Sequence, residues 1–176
     1  MPTIMSHAAV PIAGALMLGR SKISIPVMAT GIAFAMFPDA DVIGFRFGVD
    51  YADSWGHRGA THSLIFAFIA ALFATALFRP QNYFIVSTYL FIAMASHGLL
   101  DTLTNGGLGA ALLWPLDDHR YFAPITPIAV SPIGIANFIS DRGIRVLISE
   151  AIWIWTPLTV LTGTVLILRG RSKKWQ

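Results

Sequence analysis

Residues 146–168 read VLISEAIWIWTPLTVLTGTVLIL, an apolar run longer than the roughly 20 residues with which a helix crosses a bilayer. Four more apolar runs precede it, at residues 8–19, 23–37, 64–78 and 83–100. Of all residues, 55% are hydrophobic and 12% are charged, which is about half the roughly 25% charge of a soluble domain. The chain is therefore an integral membrane protein.

The spacing of these runs predicts an all-α, polytopic membrane helical bundle that forms a single domain over residues 1–176. The expected helices cover residues 6–19, 23–37, 62–78, 82–100 and 146–168, and the two longer loops cover residues 38–61 and 101–145. The first two helices are short for a membrane crossing, so re-entrant or interfacial segments are an alternative for both. We expect the N-terminus to be retained, because no basic residue precedes the first apolar run as it would in a signal peptide.

The basic residues predict the orientation of the bundle. If all five runs span the membrane, one face receives Arg20, Lys22, Arg79, Arg169, Arg171, Lys173 and Lys174. Cytoplasmic segments of membrane proteins carry an excess of Lys and Arg, so this face and the C-terminus are expected in the cytoplasm. Every Asp then lies on the outer face, with the two longer loops. The basic rim accounts for the positive charge of the chain, so direct nucleic-acid binding is not predicted.

Four of the five histidines lie in polar clusters where an apolar run begins or ends. The clusters are Ser6-His7, Pro38-Asp39-Ala40-Asp41, His57-Arg58-Gly59-Ala60-Thr61-His62-Ser63 and His97-Gly98-Leu99-Leu100-Asp101. Imidazoles and carboxylates gathered at one membrane face are typical of a metal site. Because the chain has no Cys, such a metal would be held by His nitrogen and carboxylate oxygen.

His97 and Asp101 stand four residues apart, which places them on one helix face about 6 Å apart along the axis. One cation could take both as ligands. The alternative is that His97 packs against a neighbouring helix and Asp101 begins a loop that continues through Asn105. Asp39 and Asp41 alternate, so one can face a metal while the other faces a ligating histidine, unless both lie in a solvated turn.

In the third cluster, Thr61 is a plausible N-cap, which would place His62 and Ser63 in the first turn of a helix. A helix N-terminus attracts anions, and the guanidinium of Arg58 suits a phosphate or a carboxylate. In the structural alternative Thr61 only caps the helix, Arg58 pairs with a lipid headgroup or an Asp, and His57 is an exposed loop residue.

Two further residues depend on their surroundings. His7 would carry little weight alone, but it lies at the same predicted face as the other clusters. Glu150 is the only Glu and lies within the last apolar run, where an unpaired charge costs a few kcal/mol. It needs a partner, and Arg142, Arg145 or the metal site are the candidates.

The order of the four clusters resembles the membrane-bound metal-dependent hydrolase family, also described as LexA-binding, inner-membrane-associated hydrolases. The similarity continues through Thr104-Asn105-Gly106-Gly107, Trp114-Pro115, Arg120-Tyr121-Phe122 and Val130-Ser131-Pro132-Ile133-Gly134 to Ser149-Glu150. The resemblance implies a multi-pass protein of the bacterial inner membrane with hydrolase activity. The LexA label implies a link to damage-response regulation, for which we find no DNA-binding element in the sequence.

Together these observations predict a membrane-embedded hydrolase that cleaves an ester or phosphoester of a lipid or lipid-linked substrate with metal-activated water. One or two divalent cations are expected, with zinc as the first choice and manganese as the second. The predicted ligands are His7, Asp41, His62, His97 and Asp101. Asp39 is expected to accept a proton and Arg58 to stabilise the developing oxyanion. The predicted accessory residues are His57, Thr61, Ser63, Asn105 and Glu150.

Two other functions fit the composition. The first is a structural membrane protein that is stabilised by a metal without turnover. The second is an ion-coupled transporter, which the position of the ionisable residues at helix ends, away from the midplane, disfavours. In each case membrane lipid is the expected partner.

Overall fold

The computed structural model describes residues 1–131 and 139–173, without the side chains of residues 171–173. The described residues form the α-helices α1 (Ile4–Leu18), α2 (Ile25–Met36), α3 (Leu64–Phe78), α4 (Tyr83–Thr102), α5 (Asp141–Glu150) and α6 (Thr156–Lys173). A π-helical turn, Ala151–Trp155, joins α5 to α6 into one continuous helical segment. The predicted all-α membrane bundle is confirmed. Pro132–Gly134 of the quoted motif and Lys174 of the basic tail lie outside the described residues.

Among the described residues, three helical segments are long and apolar enough to cross a membrane: Ile25–Phe47, Tyr83–Thr102 and Asp141–Gly170. The second expected helix is thus longer than predicted, because a 3-10 helix, Phe37–Phe47, continues α2 into the region predicted as loop. Pro38 explains the change of helix type, since it lacks the N–H that would continue the α-helical hydrogen bonds. The shorter apolar helices are α1 and α3.

The first four helix starts differ from the prediction by one or two residues, and the last differs by five. Helix α3 begins at Leu64 rather than at residue 62, and the last helix begins at Asp141 rather than at residue 146. The sequence pattern missed residues 141–145 because they are mostly polar and exposed, although they already have helical backbone conformation.

Helix α4 lies at the centre of the bundle, where it contacts α1, α2 and α3. Small residues let these helices approach closely, as is usual in membrane bundles. A Cβ at Gly31 of α2 would lie 2.6 Å from the Tyr89 hydroxyl of α4, so glycine is needed there. The Tyr89 hydroxyl donates to the Pro11 carbonyl of α1 at 3.0 Å. This packing fixes the relative positions of the helix ends that carry the polar clusters.

Candidate metal centre

Two imidazoles meet at one end of the bundle. His62 Nε2 lies 3.1 Å from His97 Nε2, and both side chains are almost completely buried. His97 comes from the C-terminal part of α4, and His62 comes from the short 3-10 turn Ala60–His62 that precedes α3. A Cβ at Gly98 would lie 2.3 Å from the His62 carbonyl oxygen, so glycine beside His97 permits this approach.

Two carboxylates complete a four-residue group around the imidazoles. Asp39 Oδ1 lies 3.3 Å from His97 Nε2, and Asp101 Oδ2 lies 3.6 Å from His62 Nε2. One ligand atom from each residue lies within 4.8 Å of the other three. Zinc bonds of about 2.0–2.2 Å in tetrahedral geometry separate ligand atoms by roughly 3.3–3.6 Å. The spacing of the group therefore suits one cation after small side-chain adjustments.

The hydrogen bonds on the far side of each ring decide which nitrogen is protonated. His97 Nδ1 lies 2.7 Å from the Ala35 carbonyl oxygen, which can only accept, so Nδ1 donates and Nε2 carries a lone pair. His62 Nδ1 is hydrogen-bonded to Thr61 Oγ1 at 3.1 Å, and the Thr61 hydroxyl in turn donates to Asp41 Oδ2, which lies 3.3 Å from the same nitrogen. Burial lowers the pKa of His62 and keeps its ring neutral. In these neutral tautomers two Nε2 lone pairs face each other, and a cation between them would make the arrangement favourable.

The inward-facing atoms of this centre are unsatisfied. Asp39 Oδ1 and both carboxylate oxygens of Asp101 are buried and have no hydrogen-bond partner among the described residues. A buried polar atom without a partner costs about 1–3 kcal/mol, and a charged one costs more. Arg58 Nε lies 3.0 Å from Asp101 Oδ2 and offsets part of the negative charge, and one oxygen of each carboxylate stays in position to bind a cation.

His7 of α1 stands beside the four-residue group. Its ring stacks on that of His97 with centroids 3.8 Å apart, and its Nε2 lies 3.9 Å from Asp101 Oδ1. Neither ring nitrogen has a hydrogen-bond partner among the described residues. His7 therefore adjoins the centre as predicted, next to Asp101 rather than facing the two imidazoles, and its role as a ligand stays a prediction.

Arg58 positions Asp101. Its Nε lies 3.0 Å from Asp101 Oδ2, Nη1 donates to the Gly106 carbonyl at 2.8 Å, and Nη2 donates to Thr104 Oγ1 at 3.0 Å. The side chain is 1% exposed. Its contacts tie the end of α4 to the loop that follows, and the oxyanion role of Arg58 stays a prediction.

Asp41 lies on the opposite side of the His62 ring from His97. Its Oδ1 accepts from His57 Nδ1 at 2.7 Å, and its Oδ2 accepts from Arg58 N at 3.1 Å and Thr61 Oγ1 at 3.2 Å. Carboxylates in this position orient a ligating imidazole. Asp39 thus lies nearer Nε2 of His62 and Asp41 nearer Nδ1, and the predicted roles of Asp41 as a ligand and of Asp39 as a proton acceptor stay predictions. Asp41, His57 and His62 also form a second group with metal-ligand spacing.

Residues 1–175 match a family model described as YdjM inner membrane protein. The chain belongs to the YdjM inner membrane protein family. Inner membrane protein YbcI of Escherichia coli (strain K12) is 43% identical over 168 residues, which cover 93% of this chain and 96% of that protein. No solved structure matches this YdjM-family chain. The expected multi-pass inner-membrane location is confirmed, whereas the hydrolase activity, the orientation and the LexA link stay predictions.

In this YdjM-family protein, two residues of the third cluster differ from expectation. His57 is 2% exposed rather than a solvated loop residue, because Asp41 binds its Nδ1 and Tyr51 packs edge-on at 5.2 Å. Thr61 does not cap α3, since it lies in the 3-10 turn and binds Asp41. Ser63 is the cap, and its Oγ accepts from Phe66 N at 3.1 Å. His62 consequently precedes the helix instead of lying in its first turn.

Glu150 has partners that the sequence did not indicate. Its carboxylate accepts from Thr3 N at 2.5 Å, from Thr3 Oγ1 at 2.5 Å and from Ser6 Oγ at 2.6 Å. The expected arginine partners, Arg142 and Arg145, lie at exposed positions of α5, whereas Glu150 is buried against α1. Glu150 therefore secures α1 to the start of the last helix.

The loop after α4 contributes contacts that motif analysis did not identify. Asn105, predicted as an accessory residue, turns outward and accepts from Val130 N at 3.0 Å, so it shapes the loop. Thr104 and the Gly106 carbonyl hold Arg58 instead. The Ala35 carbonyl, which fixes the His97 tautomer, leaves no signal in a sequence because any residue supplies a carbonyl.

Proposed function

We propose that this protein is a membrane-embedded, metal-dependent hydrolase for an ester or phosphoester of a lipid or lipid-linked substrate. The observation that carries the proposal is the pair of facing Nε2 atoms of His62 and His97, flanked by the unpaired oxygens of Asp39 and Asp101. Four protein ligands of this chemistry suit one divalent cation.

One cation explains the geometry better than two. The second group, Asp41 with His57 and His62, already has its polar atoms hydrogen-bonded to one another and to Arg58 N. Its carboxylate is therefore satisfied without a metal, in contrast to Asp39 and Asp101. Zinc suits the two nitrogen and two oxygen ligands best, and manganese is the second choice.

The chemistry follows from the groups around the centre. A bound divalent cation acts as a Lewis acid and lowers the pKa of a water to about 7. His7 Nε2 lies 3.9 Å from Asp101 Oδ1 and has no hydrogen-bond partner among the described residues, so it could hold a proton beside the site, as could Asp39. Arg58 holds Asp101 in place, and Asp41 holds His62 with its Nε2 facing inward.

The position of the centre supports a lipid substrate. Asp39 is the most accessible member of the group, with a side chain 15% exposed. Exposed aromatic residues lie on the same polar end, among them Phe37 at 49%, Phe47 at 81% and Trp55 at 59%. Aromatic side chains favour the membrane–water boundary, where the ester and phosphate groups of lipids also lie.

A metal-stabilised structural protein is the second candidate, and one observation favours it. His62, His97 and Asp101 are buried, and a zinc site closed by four protein ligands is typical of structural sites. Hydrolysis then requires that one ligand, most simply the accessible Asp39, yield its position to water or substrate. The two candidates therefore differ in turnover and not in metal binding.

The test is metal analysis followed by an activity screen in detergent. We expect wild-type protein to contain about one zinc, His97→Ala to contain none, and His119→Ala, which changes an exposed histidine, to match wild type. Phospholipids and soluble phosphoesters would then be screened with the three proteins. Zinc without hydrolysis of any substrate supports the structural candidate, and wild-type protein that binds no divalent metal refutes both.

A further inference from the structure

An apolar groove runs between α1 and the last helix. It is lined by Met5, Ile12 and Leu16 on one side and by Trp155, Gly163 and Leu166 on the other, and its volume is about 540 Å³. The groove begins near the metal-centre end of α1 and descends toward the opposite face. From Met5 to Leu16 it extends about 16 Å, which is half the roughly 30 Å thickness of a bilayer core.

The far end of the groove opens into a cationic cavity. Leu16 and Leu166 line both spaces, and the second cavity of about 480 Å³ adds Gly19, Arg20, Ser21 and Arg169. Arg169 Nη1 donates to the Met17 carbonyl, so its guanidinium lies across the end of α1. The groove is thus apolar along its length and positively charged at its end.

The chain supplies no acidic residue to this end. The sequence has no Asp or Glu before residue 39, between residues 53 and 101, or after residue 150. Glu150 is bound to Thr3, at the other end of α1. Arg20 and Arg169 are exposed and have no acidic side-chain partner among the described residues, so their charge is available to an external anion.

The lining of the groove favours a lipid as its occupant, because it is apolar over about 16 Å and ends beside two arginines. The apolar lining suits an extended alkyl chain along this length. Thr162 also lines the groove, and its buried hydroxyl has no hydrogen-bond partner among the described residues. A lipid ester carbonyl could accept from it, which a hydrocarbon chain alone could not.

We infer that this groove binds an anionic phospholipid, with one acyl chain between α1 and α6 and the phosphate between Arg20 and Arg169. The inference is independent of the proposed function, because the cationic end is the one away from the metal centre. It assigns to the protein a lipid selected by charge, in addition to the lipid that surrounds any membrane protein.

The experiment compares phosphatidylglycerol with phosphatidylcholine of identical acyl chains. Delipidated protein in detergent is titrated with each lipid, and bound lipid is counted by native mass spectrometry. We expect at least tenfold tighter binding of phosphatidylglycerol. Each of Arg20→Gln and Arg169→Gln should weaken it about fivefold, and the double variant about thirtyfold. Arg79→Gln removes the same charge from the end of α3, outside the groove, and should have no effect.

Filling the groove tests the acyl chain separately. A Cβ at Gly163 would meet open space, so Gly163→Leu should fold normally and fill the groove, weakening both lipids at least tenfold. Thr164→Leu, at an exposed position outside the groove lining, is the control. Equal affinity for the two lipids, or unchanged binding to Gly163→Leu, overturns the inference. A dimer that Gly163→Leu dissociates would also overturn it, since a second copy would then occupy the groove.

Discussion

The substitution Asp41→Asn tests whether Asp41 binds the metal itself or only orients the ligand His62. Asp41 Oδ2 lies 3.3 Å from His62 Nδ1, on the side of the ring away from His97. The substitution keeps the size of the side chain and removes its charge. If Asp41 only orients His62, the variant should still bind zinc, but more weakly.

The size of the effect follows from the contacts of the carboxylate. Oδ2 has several donors, including Arg58 N and Thr61 Oγ1, so the side-chain carbonyl oxygen of the variant should take its place and the new amide nitrogen should face His57. His62 Nδ1 then keeps its contact with Thr61 Oγ1 at 3.1 Å and loses only the nearby charge of Asp41. Loss of such a partner costs 10–100-fold in metal affinity, and we expect about tenfold, equivalent to about 1.4 kcal/mol.

The assay is competition for zinc between the metal-free protein and a chromogenic chelator. Asp39→Asn and Asp101→Asn should each lose more than roughly 100-fold, because they change the ligand oxygens themselves. Asp118→Asn removes a charge from an exposed loop and serves as the matched control. If Asp41→Asn loses as much affinity as Asp101→Asn, Asp41 is itself a ligand. If it loses none, the contact behind His62 does not tune the site.

Zinc at about 100 times its Kd should stabilise the folded protein by about 2.7 kcal/mol and raise its unfolding temperature in detergent. A chelator should reverse this rise, and His97→Ala should abolish it. An equal rise in His97→Ala would contradict the assignment of His97 as a ligand. Gly98→Ala should cost about 1–3 kcal/mol and weaken zinc binding, because the new Cβ would lie 2.3 Å from the His62 carbonyl oxygen. If Gly98→Ala keeps wild-type zinc affinity and stability, the backbones of residues 98 and 62 do not approach each other this closely. Glu150→Gln should cost about 1–3 kcal/mol in thermal unfolding, since its amide would face a donor of Thr3, but zinc content should stay constant. Loss of zinc would place Glu150 in the metal centre. A C-terminal alkaline phosphatase fusion should be inactive if the tail is cytoplasmic, and activity would reverse the predicted orientation.

The sequence predicted that the chain is a helical membrane protein and that its polar clusters converge, because both follow from strong local signals. Apolar runs identify membrane helices, and the four-residue spacing of His97 and Asp101 identifies a shared helix face. The loop boundary at residue 38 was wrong because Pro38 changed the type of helix instead of ending it. A proline removes one hydrogen bond, and the 3-10 pattern continues without it.

The roles of individual side chains depended on tertiary contacts that no spacing encodes. Asp39 and Asp41 both reach His62, and the fold decides which nitrogen of the ring each one faces. Thr61 and Ser63 are equally good caps by residue type, but Asp41 binds Thr61 and leaves Ser63 to cap α3. Likewise, Glu150 found hydroxyl and amide donors on α1, which sequence reasoning about charge partners did not consider.

Arg58 shows that the centre is held in one arrangement by its surroundings. Its backbone has φ 65°, a left-handed conformation that costs a non-glycine residue about 1–2 kcal/mol. The contacts around it offset this cost, since its N–H donates to Asp41, its carbonyl accepts from Ala111 N at 2.9 Å and its guanidinium pairs with Asp101.

One potential ligand atom from each residue of the four-residue group faces the other three. His97 uses Nδ1 for a hydrogen bond to the Ala35 carbonyl, and His62 Nδ1 is hydrogen-bonded to Thr61 Oγ1, so both rings turn Nε2 inward. Carboxylate oxygens of Asp39 and Asp101 face the same space, and Arg58 Nε lies 3.0 Å from Asp101 Oδ2. Four converging ligand atoms of this chemistry match a divalent cation, which gives the buried polar end of this bundle its physical explanation.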